Sequence, residues 1–223
     1  MRVSVIGASG RIGGRIVQEA MARGHHAIAV VRDASLFDDS KLPNRGRDDG
    51  SLVVSQADVF DAETVAAAIS GADVAVSAIG HAAQLQDAGY YVRAARSLVQ
   101  ALRSLGPSAP RLLIVGGFGS LETASGVQFA DAGGYPDHAA AEIVGQRDAL
   151  AFYRTVDDVQ WTYIAPPPGG IRPGERTGSY RASRDRVDGE PRESRISIED
   201  FAVAVIDEAE RAQHVFACIT VTN

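Results

Sequence analysis

Gly7, Gly10 and Gly13 stand in the run Gly7-Ala8-Ser9-Gly10-Arg11-Ile12-Gly13. A short β-branched stretch, Arg2 to Ile6, precedes the run. An amphipathic stretch follows it, with Ile12, Ile16, Val17 and Ala20 on one face. A strand that turns sharply into a helix offers unpaired N–H groups and the positive end of the helix dipole, which suit an anionic phosphate. The glycines divide the work. Gly7 permits the tight turn, Gly10 lets the backbone approach a pyrophosphate, and Gly13 lets helix and strand pack closely. Ser9, Arg11 and Ile12 lie in the same turn. With a strand returning about 20 residues later, the spacing predicts a dinucleotide-binding site.

The end of the second apolar run, His26 to Val31, bears on which dinucleotide. Val31-Arg32-Asp33 places an arginine where a 2′-phosphate can be held by charge-assisted bonds, and Arg11 adds a second cation. NADP is therefore expected, with NAD possible because Asp33 could serve a ribose 2′-hydroxyl. Asp58, followed by Val59, could accept from an adenine amino group or cap a turn. Ser77-Ala78-Ile79-Gly80 ends a strand with small residues beside which a ribose can pass, and Gly116 and Gly117 end another.

Candidate groups for chemistry are fewer. His81 follows the Ala78-Ile79-Gly80 strand end, and Tyr135 and His138 precede a helical segment. Each could move a proton, and each could be a turn, cap or solvated residue. Phe118 could stack on a flat ring or sit in the core. Arg176 belongs to a group with Arg172, Arg181, Arg184 and Arg186 that could hold a phosphate or carboxylate tail, or form a solvated loop. Ser197, with Glu199 and Asp200, looks like a helix N-terminus. No metal site is expected.

These groups need a frame. Apolar runs at Arg2 to Ile6, His26 to Val31, Gly50 to Ala57, Asp73 to Ala78, Arg111 to Val115 and Trp161 to Ala165 alternate with helical patterns at Ile12 to Arg23, Ala62 to Ile69, Ala88 to Leu105 and Ala139 to Tyr153. That alternation predicts an α/β fold: a doubly wound, Rossmann-type parallel sheet with helices on both faces. Residues 166–195 break the pattern and are expected to form an irregular segment on the substrate side. A helix from Ser197 and a strand from Val215 to Val221 close the chain. Its 223 residues are expected to form one domain, 1–223.

The net charge of −6 argues against a nucleic-acid or acidic-membrane partner. No apolar run approaches the roughly 18 to 20 residues of a bilayer span. One cysteine, Cys218, in an apolar run reads as a buried structural thiol. Together with a start that passes directly into a strand, it suggests a reducing cytoplasm. The expected partner is a small-molecule acceptor, with the chain a monomer or homodimer.

The glycine turn, Val31-Arg32-Asp33, Ala57-Asp58-Val59 and Val115-Gly116-Gly117 resemble the atypical short-chain dehydrogenase/reductases. Trp161 to Ile164, Pro173 to Gly178 and Ser194 to Ala202 resemble the NADH-flavin reductase group within them. That group is similar to biliverdin reductase B and to the nitrogen-metabolite-repression regulators. Standard members of the superfamily use a tyrosine with a lysine four residues later as a proton relay. This chain has one lysine, Lys41, and Phe37 stands four residues before it. The missing relay argues against ordinary alcohol or sugar chemistry. Hydride transfer to a flavin or quinone-like acceptor survives its loss, because the ring delocalises the electron pair and solvent can supply the proton. Flavin would then be a substrate rather than a tightly bound group. Two rivals stay open: a dinucleotide-binding redox sensor without catalysis, and a sugar-nucleotide epimerase or dehydratase.

Overall fold

The computed structural model describes residues 1–38, 51–80, 87–187 and 189–223. In chain order the elements are β1 (Arg2–Ile6), α1 (Arg11–Ala22), β2 (His26–Val31), β3 (Leu52–Gln56), α2 (Ala62–Ile69), β4 (Val74–Ser77), α3 (Tyr90–Leu105), β5 (Arg111–Val115), α4 (Phe129–Ala132), α5 (Asp137–Tyr153), β6 (Trp161–Ala165), β7 (Ile171–Arg172), β8 (Arg181–Arg184), β9 (Ile196–Ser197), α6 (Ile198–Arg211) and β10 (Ala217–Thr222). Local chemistry sets many of the boundaries. The Asp61 carboxylate accepts from the N–H groups of Glu63 and Thr64 to start α2, and the Ser197 hydroxyl accepts from Asp200 to start α6. Gly24, at φ +79°, ends the turn after α1 in a conformation that suits glycine.

The strands form one sheet in the order β3-β2-β1-β4-β5-β6-β10-β8. All pairs are parallel except β8, which runs antiparallel along β10. This is the doubly wound Rossmann-type sheet that the sequence predicts. β1 lies between β2 and β4, so the chain reverses its winding there, and the crevice beyond the carboxyl ends of β1 and β4 is where such sheets bind ligands. Because parallel strands are covered on both faces, β1, β2, β4, β5 and β6 are apolar almost throughout. α1 and α6 cover one face, with Val5, Ile16, Val17, Phe201 and Val205 in its core. α2, α3 and α5 cover the other, with Ile69, Leu98, Leu102, Leu150 and Tyr163. Cys218 is buried in this second core, where desolvation raises its thiol pKa far above the usual range, as a structural thiol requires.

Ion pairs tie α6 to its neighbours at two places. Arg111, at the start of β5, meets Glu208 near the end of α6 at 2.9 Å, with both side chains nearly buried. His214 meets the same carboxylate at 2.8 Å. On the other helix, Glu19 and Asp207 hold Arg23 between α1 and α6.

Residues 166–195 depart from expectation. Among its described residues, Pro166 and Ile171 alone border the crevice described below. The rest straps α1 and α6 together and adds an edge strand. Arg176 makes two bonds to Glu19, Thr177 and Gly178 donate to the buried Asp200, and Tyr180 donates to Asp207. β7 pairs with β9 as a separate short ribbon, and β8 extends the main sheet. Periodicity could not show this, because segments of two to four residues are too short for a repeat to register.

Candidate active site

The glycine turn sits where β1 hands over to α1, and its geometry explains each glycine separately. Gly7 has φ +85°, and a Cβ there would lie 2.6 Å from the Ala78 carbonyl oxygen. A Cβ on Gly13 would collide with the Gly7 carbonyl, so the close packing of α1 on β1 needs both residues bare. Gly10 is different. Its backbone is ordinary extended chain, and a Cβ would approach only the Gly7 carbonyl oxygen, at 3.1 Å. Its lack of a side chain leaves room on the open side, toward a ligand. No side chain caps α1, and its first turn carries no acid, so its N-terminal N–H groups are left for an anion.

Two pockets meet at this turn. One, of about 260 Å³, is lined by Gly7, Ser9, Gly10, Val31, Arg32, Ala57, Val59 and Tyr90 among others. The second, of about 540 Å³, continues past Gly10, Arg11 and Ile12 to Val115, Gly116, Gly117, Phe118 and one side of α5. Ala78, Ile79 and Gly80 belong to both, so the two form one trough across the carboxyl edge of the sheet. Its size and shape fit an elongated ligand with a phosphate group at the turn. The residues on hand fit a dinucleotide: an adenosine end beside Arg32, a pyrophosphate at α1, and a nicotinamide end between β5 and α5.

Arg32 and Asp33 behave differently. Arg32 is exposed, lines the smaller pocket and has no ion pair among the described residues. Asp33 turns to the Ser35 N–H and hydroxyl, at 3.0 and 2.6 Å, and caps the turn that follows. Asp58 likewise accepts from the Phe60 N–H at 3.0 Å, and its neighbours Ala57 and Val59, not Asp58 itself, line the pocket. The geometry displays the turn-capping alternative for Asp58, and Asp33, expected as a possible ribose partner, caps a turn as well.

The proton-transfer candidates among the described residues do not converge on the larger pocket. His81 lies outside the described residues. His138 is exposed and does not line the pocket, and the Tyr135 hydroxyl is spent on the Ala130 carbonyl at 2.6 Å. Both precede or begin α5 on its outer side, whereas Ala139, Glu142, Ile143 and Gln146 supply its pocket face. Arg176 is also corrected: its guanidinium is bidentate to Glu19, and none of the five arginines of that segment borders the pocket. Phe118 does border it, while its ring edge packs on Phe129 at 6.1 Å, so it serves pocket and core together.

The wall glycines have a cause that the sequence did not display. A Cβ on Gly116 would strike the Tyr163 ring, one on Gly117 would reach Gln146 at 2.7 Å, and one on Gly119 would strike Ile143. They are bare so that β5 can pack against β6 and α5. Tyr163, fully buried, donates to the Gln146 carbonyl at 3.0 Å and accepts from Gly117 N–H at 3.3 Å. Desolvation, above all, pushes its phenol pKa well up, so it is a neutral structural hydroxyl.

Missed altogether by sequence reading was a polar group on α5. Glu142 accepts from the Tyr91 hydroxyl at 3.3 Å and from the Gln146 side-chain amide at 3.4 Å. Among the described residues, Glu142 and Arg11 are the two ionisable side chains in the larger pocket. The four-residue spacing of Glu142 and Gln146 on one helix face was the available signal.

Comparison with known proteins agrees with this site. Residues 7–209 match the family model described as NAD(P)H-binding. A candidate exported protein from Burkholderia pseudomallei is 34% identical, with each chain covered in full and a TM-score of 0.83. A candidate epimerase from Bacteroides thetaiotaomicron is 29% identical over 99% of this chain and 96% of its own, with a TM-score of 0.83. A candidate NADH-flavin reductase from Streptococcus pneumoniae is 27% identical over 100% of this chain and 99% of its own, with a TM-score of 0.81.

Proposed function

The chain belongs to the NAD(P)H-binding family, and on that premise we propose that it is a reductase passing hydride to a flat, conjugated acceptor of the flavin or quinone kind. The observation that carries this reading is the wall of the larger pocket. It is built mainly from glycines, aliphatic side chains and Phe118, with Glu142 and Gln146 on α5, Arg11 at the phosphate end, and no tyrosine–lysine pair among the described residues. Such a wall can press two flat rings together but offers no relay to an alcohol. The bound dinucleotide supplies the hydride. The chain's own part is to hold the phosphates at α1 and to shape a slot for the acceptor between Phe118 and α5. The Streptococcus pneumoniae neighbour's name supports this reading, and the Bacteroides thetaiotaomicron neighbour's name supports an epimerase.

NADP(H) is the proposed cofactor, since Arg32 faces the adenosine end while Asp33 is engaged with Ser35. Flavin is taken as a substrate that comes and goes. A nicotinamide reductant also favours the cytoplasm, against the name of the Burkholderia pseudomallei neighbour; cell fractionation decides between them. No described helix is long and apolar enough to cross a membrane.

Anaerobic stopped-flow mixing of the protein with NADPH and flavin mononucleotide, or with 2-methyl-1,4-naphthoquinone, tests the reading. Oxidation of NADPH faster than in free solution is expected. Dinucleotide binding without acceleration for either acceptor overturns it and leaves the sensor. Turnover of a nucleotide sugar with no net change in NADPH favours the epimerase.

A further inference from the structure

Among the described residues, Glu142 is the one ionisable side chain on its side of the larger pocket. The other ionisable group there, Arg11, is at the phosphate end. Two neighbours hold the carboxylate. The Tyr91 hydroxyl and the Gln146 amide both donate to its Oε1, while Oε2 has no partner among the described residues. Tyr91 is itself buried in the core of α3, and Gln146 is held by Tyr163. The arrangement therefore leaves one oxygen of a pocket-lining carboxylate without a partner among the described residues, while two donors from the core side engage the other.

An ionised carboxylate only accepts hydrogen bonds. A ring whose edge carries carbonyl oxygens alone would place lone pairs against Glu142. A ring with an imide N–H between its carbonyls would donate to Oε2. Resting on the reductase reading above, we infer that Glu142 selects the acceptor: it recognises a heteroaromatic ring that bears a ring N–H, as an isoalloxazine does and a quinone does not. Tyr91 is its positioning residue. The pocket is open on this side and Glu142 is exposed, so the discrimination is of the modest kind, about 10-fold, rather than that of a sealed site.

The test uses the full chain, with NADPH, three acceptors and the variants Glu142→Ala and Tyr91→Phe. The acceptors are flavin mononucleotide, its N3-methyl derivative and 2-methyl-1,4-naphthoquinone. Dissociation constants from flavin fluorescence quenching accompany kcat/KM. The wild type is expected to favour the N3–H flavin over the N3-methyl flavin by about 10-fold in both measurements. Glu142→Ala should bring that ratio near one and raise the rate with the quinone, and Tyr91→Phe should fall between. Since Glu142 is exposed, its alanine variant is expected to melt as the wild type does. The ratio unchanged in Glu142→Ala overturns the inference while the reductase reading stands. So does a variant that binds NADPH more weakly but keeps its acceptor preference, for the carboxylate then serves the cofactor. Failure of the wild type to reduce any of the three overturns the reductase reading and this inference with it.

Discussion

Replacing two glycines of the same turn by alanine should separate folding from binding. At Gly7 an alanine must hold φ +85°, which costs an L-residue about 1–2 kcal/mol. Its Cβ would also lie 2.6 Å from the Ala78 carbonyl oxygen, so β1 or β4 must shift by several tenths of an ångström. Overpacking of that kind costs about 1–3 kcal/mol. The sum, about 2–5 kcal/mol, lowers the melting temperature by about 4–20 °C in a domain of this size. Gly10→Ala has neither burden. Its backbone is extended and its Cβ would meet one oxygen at 3.1 Å. The poorer helix cap and the reduced freedom of the unfolded chain, each below about 1 kcal/mol, nearly offset one another. A methyl there would instead stand where a pyrophosphate must approach. Loss of one charge-assisted bond, about 1.5–3 kcal/mol, weakens NADPH binding by about 10- to 150-fold. Differential scanning fluorimetry and NADPH fluorescence titration read the two effects. A Gly10→Ala protein that binds NADPH as tightly as the wild type would falsify the assignment of the turn to phosphate. A Gly7→Ala protein with an unchanged melting temperature would refute the packing argument.

Arg32→Ala should weaken NADPH by about 10-fold or more and NADH by less than about twofold, measured as dissociation constants, because its charge meets only the 2′-phosphate; equal losses would reassign Arg32 to solvent. Glu208→Ala leaves the Arg111 guanidinium nearly buried without its carboxylate and should cost about 3–5 kcal/mol in urea unfolding. The double change Arg111→Met with Glu208→Leu should recover part of that loss, and no recovery would mean that Glu208 acts through His214 instead. Burial raises the carboxyl pKa values of Asp200, Asp207 and Glu208. Hydrogen bonds and the nearby Arg23 and Arg111 outweigh it and hold all three below their ordinary values. Folded pKa values that lie below the unfolded ones stabilise the protein above about pH 4 and lose that contribution as pH falls through the folded values. The melting temperature should thus be flat from about pH 7 to 5 and fall below about pH 4; a flat profile to pH 3 would contradict it.

What the sequence determined by itself was the frame and the cofactor end. Continuous apolar runs and period-3.6 apolar patterns mark parallel strands and their covering helices, because each strand is buried on two faces and each helix on one. The run from Gly7 to Gly13 placed the phosphate turn, since the backbone geometry it must adopt depends on residues adjacent in the chain. Arg32 reaches the smaller pocket for the same local reason: it directly follows β2. The acceptor end depends on contacts between distant segments, and there local reading failed. His138 and Tyr135 have suitable chemistry and sit at or before the start of α5, yet His138 is exposed away from the pocket, Tyr135 is held by the Ala130 carbonyl, and Glu142 lines the pocket from α5. Arg176 lies in a cation-rich stretch but closes on Glu19, 157 residues away. Gly116 and Gly117 look like a slot for a ligand and are first of all a fit to Tyr163 and Gln146. Only the packing of β5, β6, α3 and α5 decided which side chains share the pocket, because that choice is made by burial across the sheet and not by spacing along the chain.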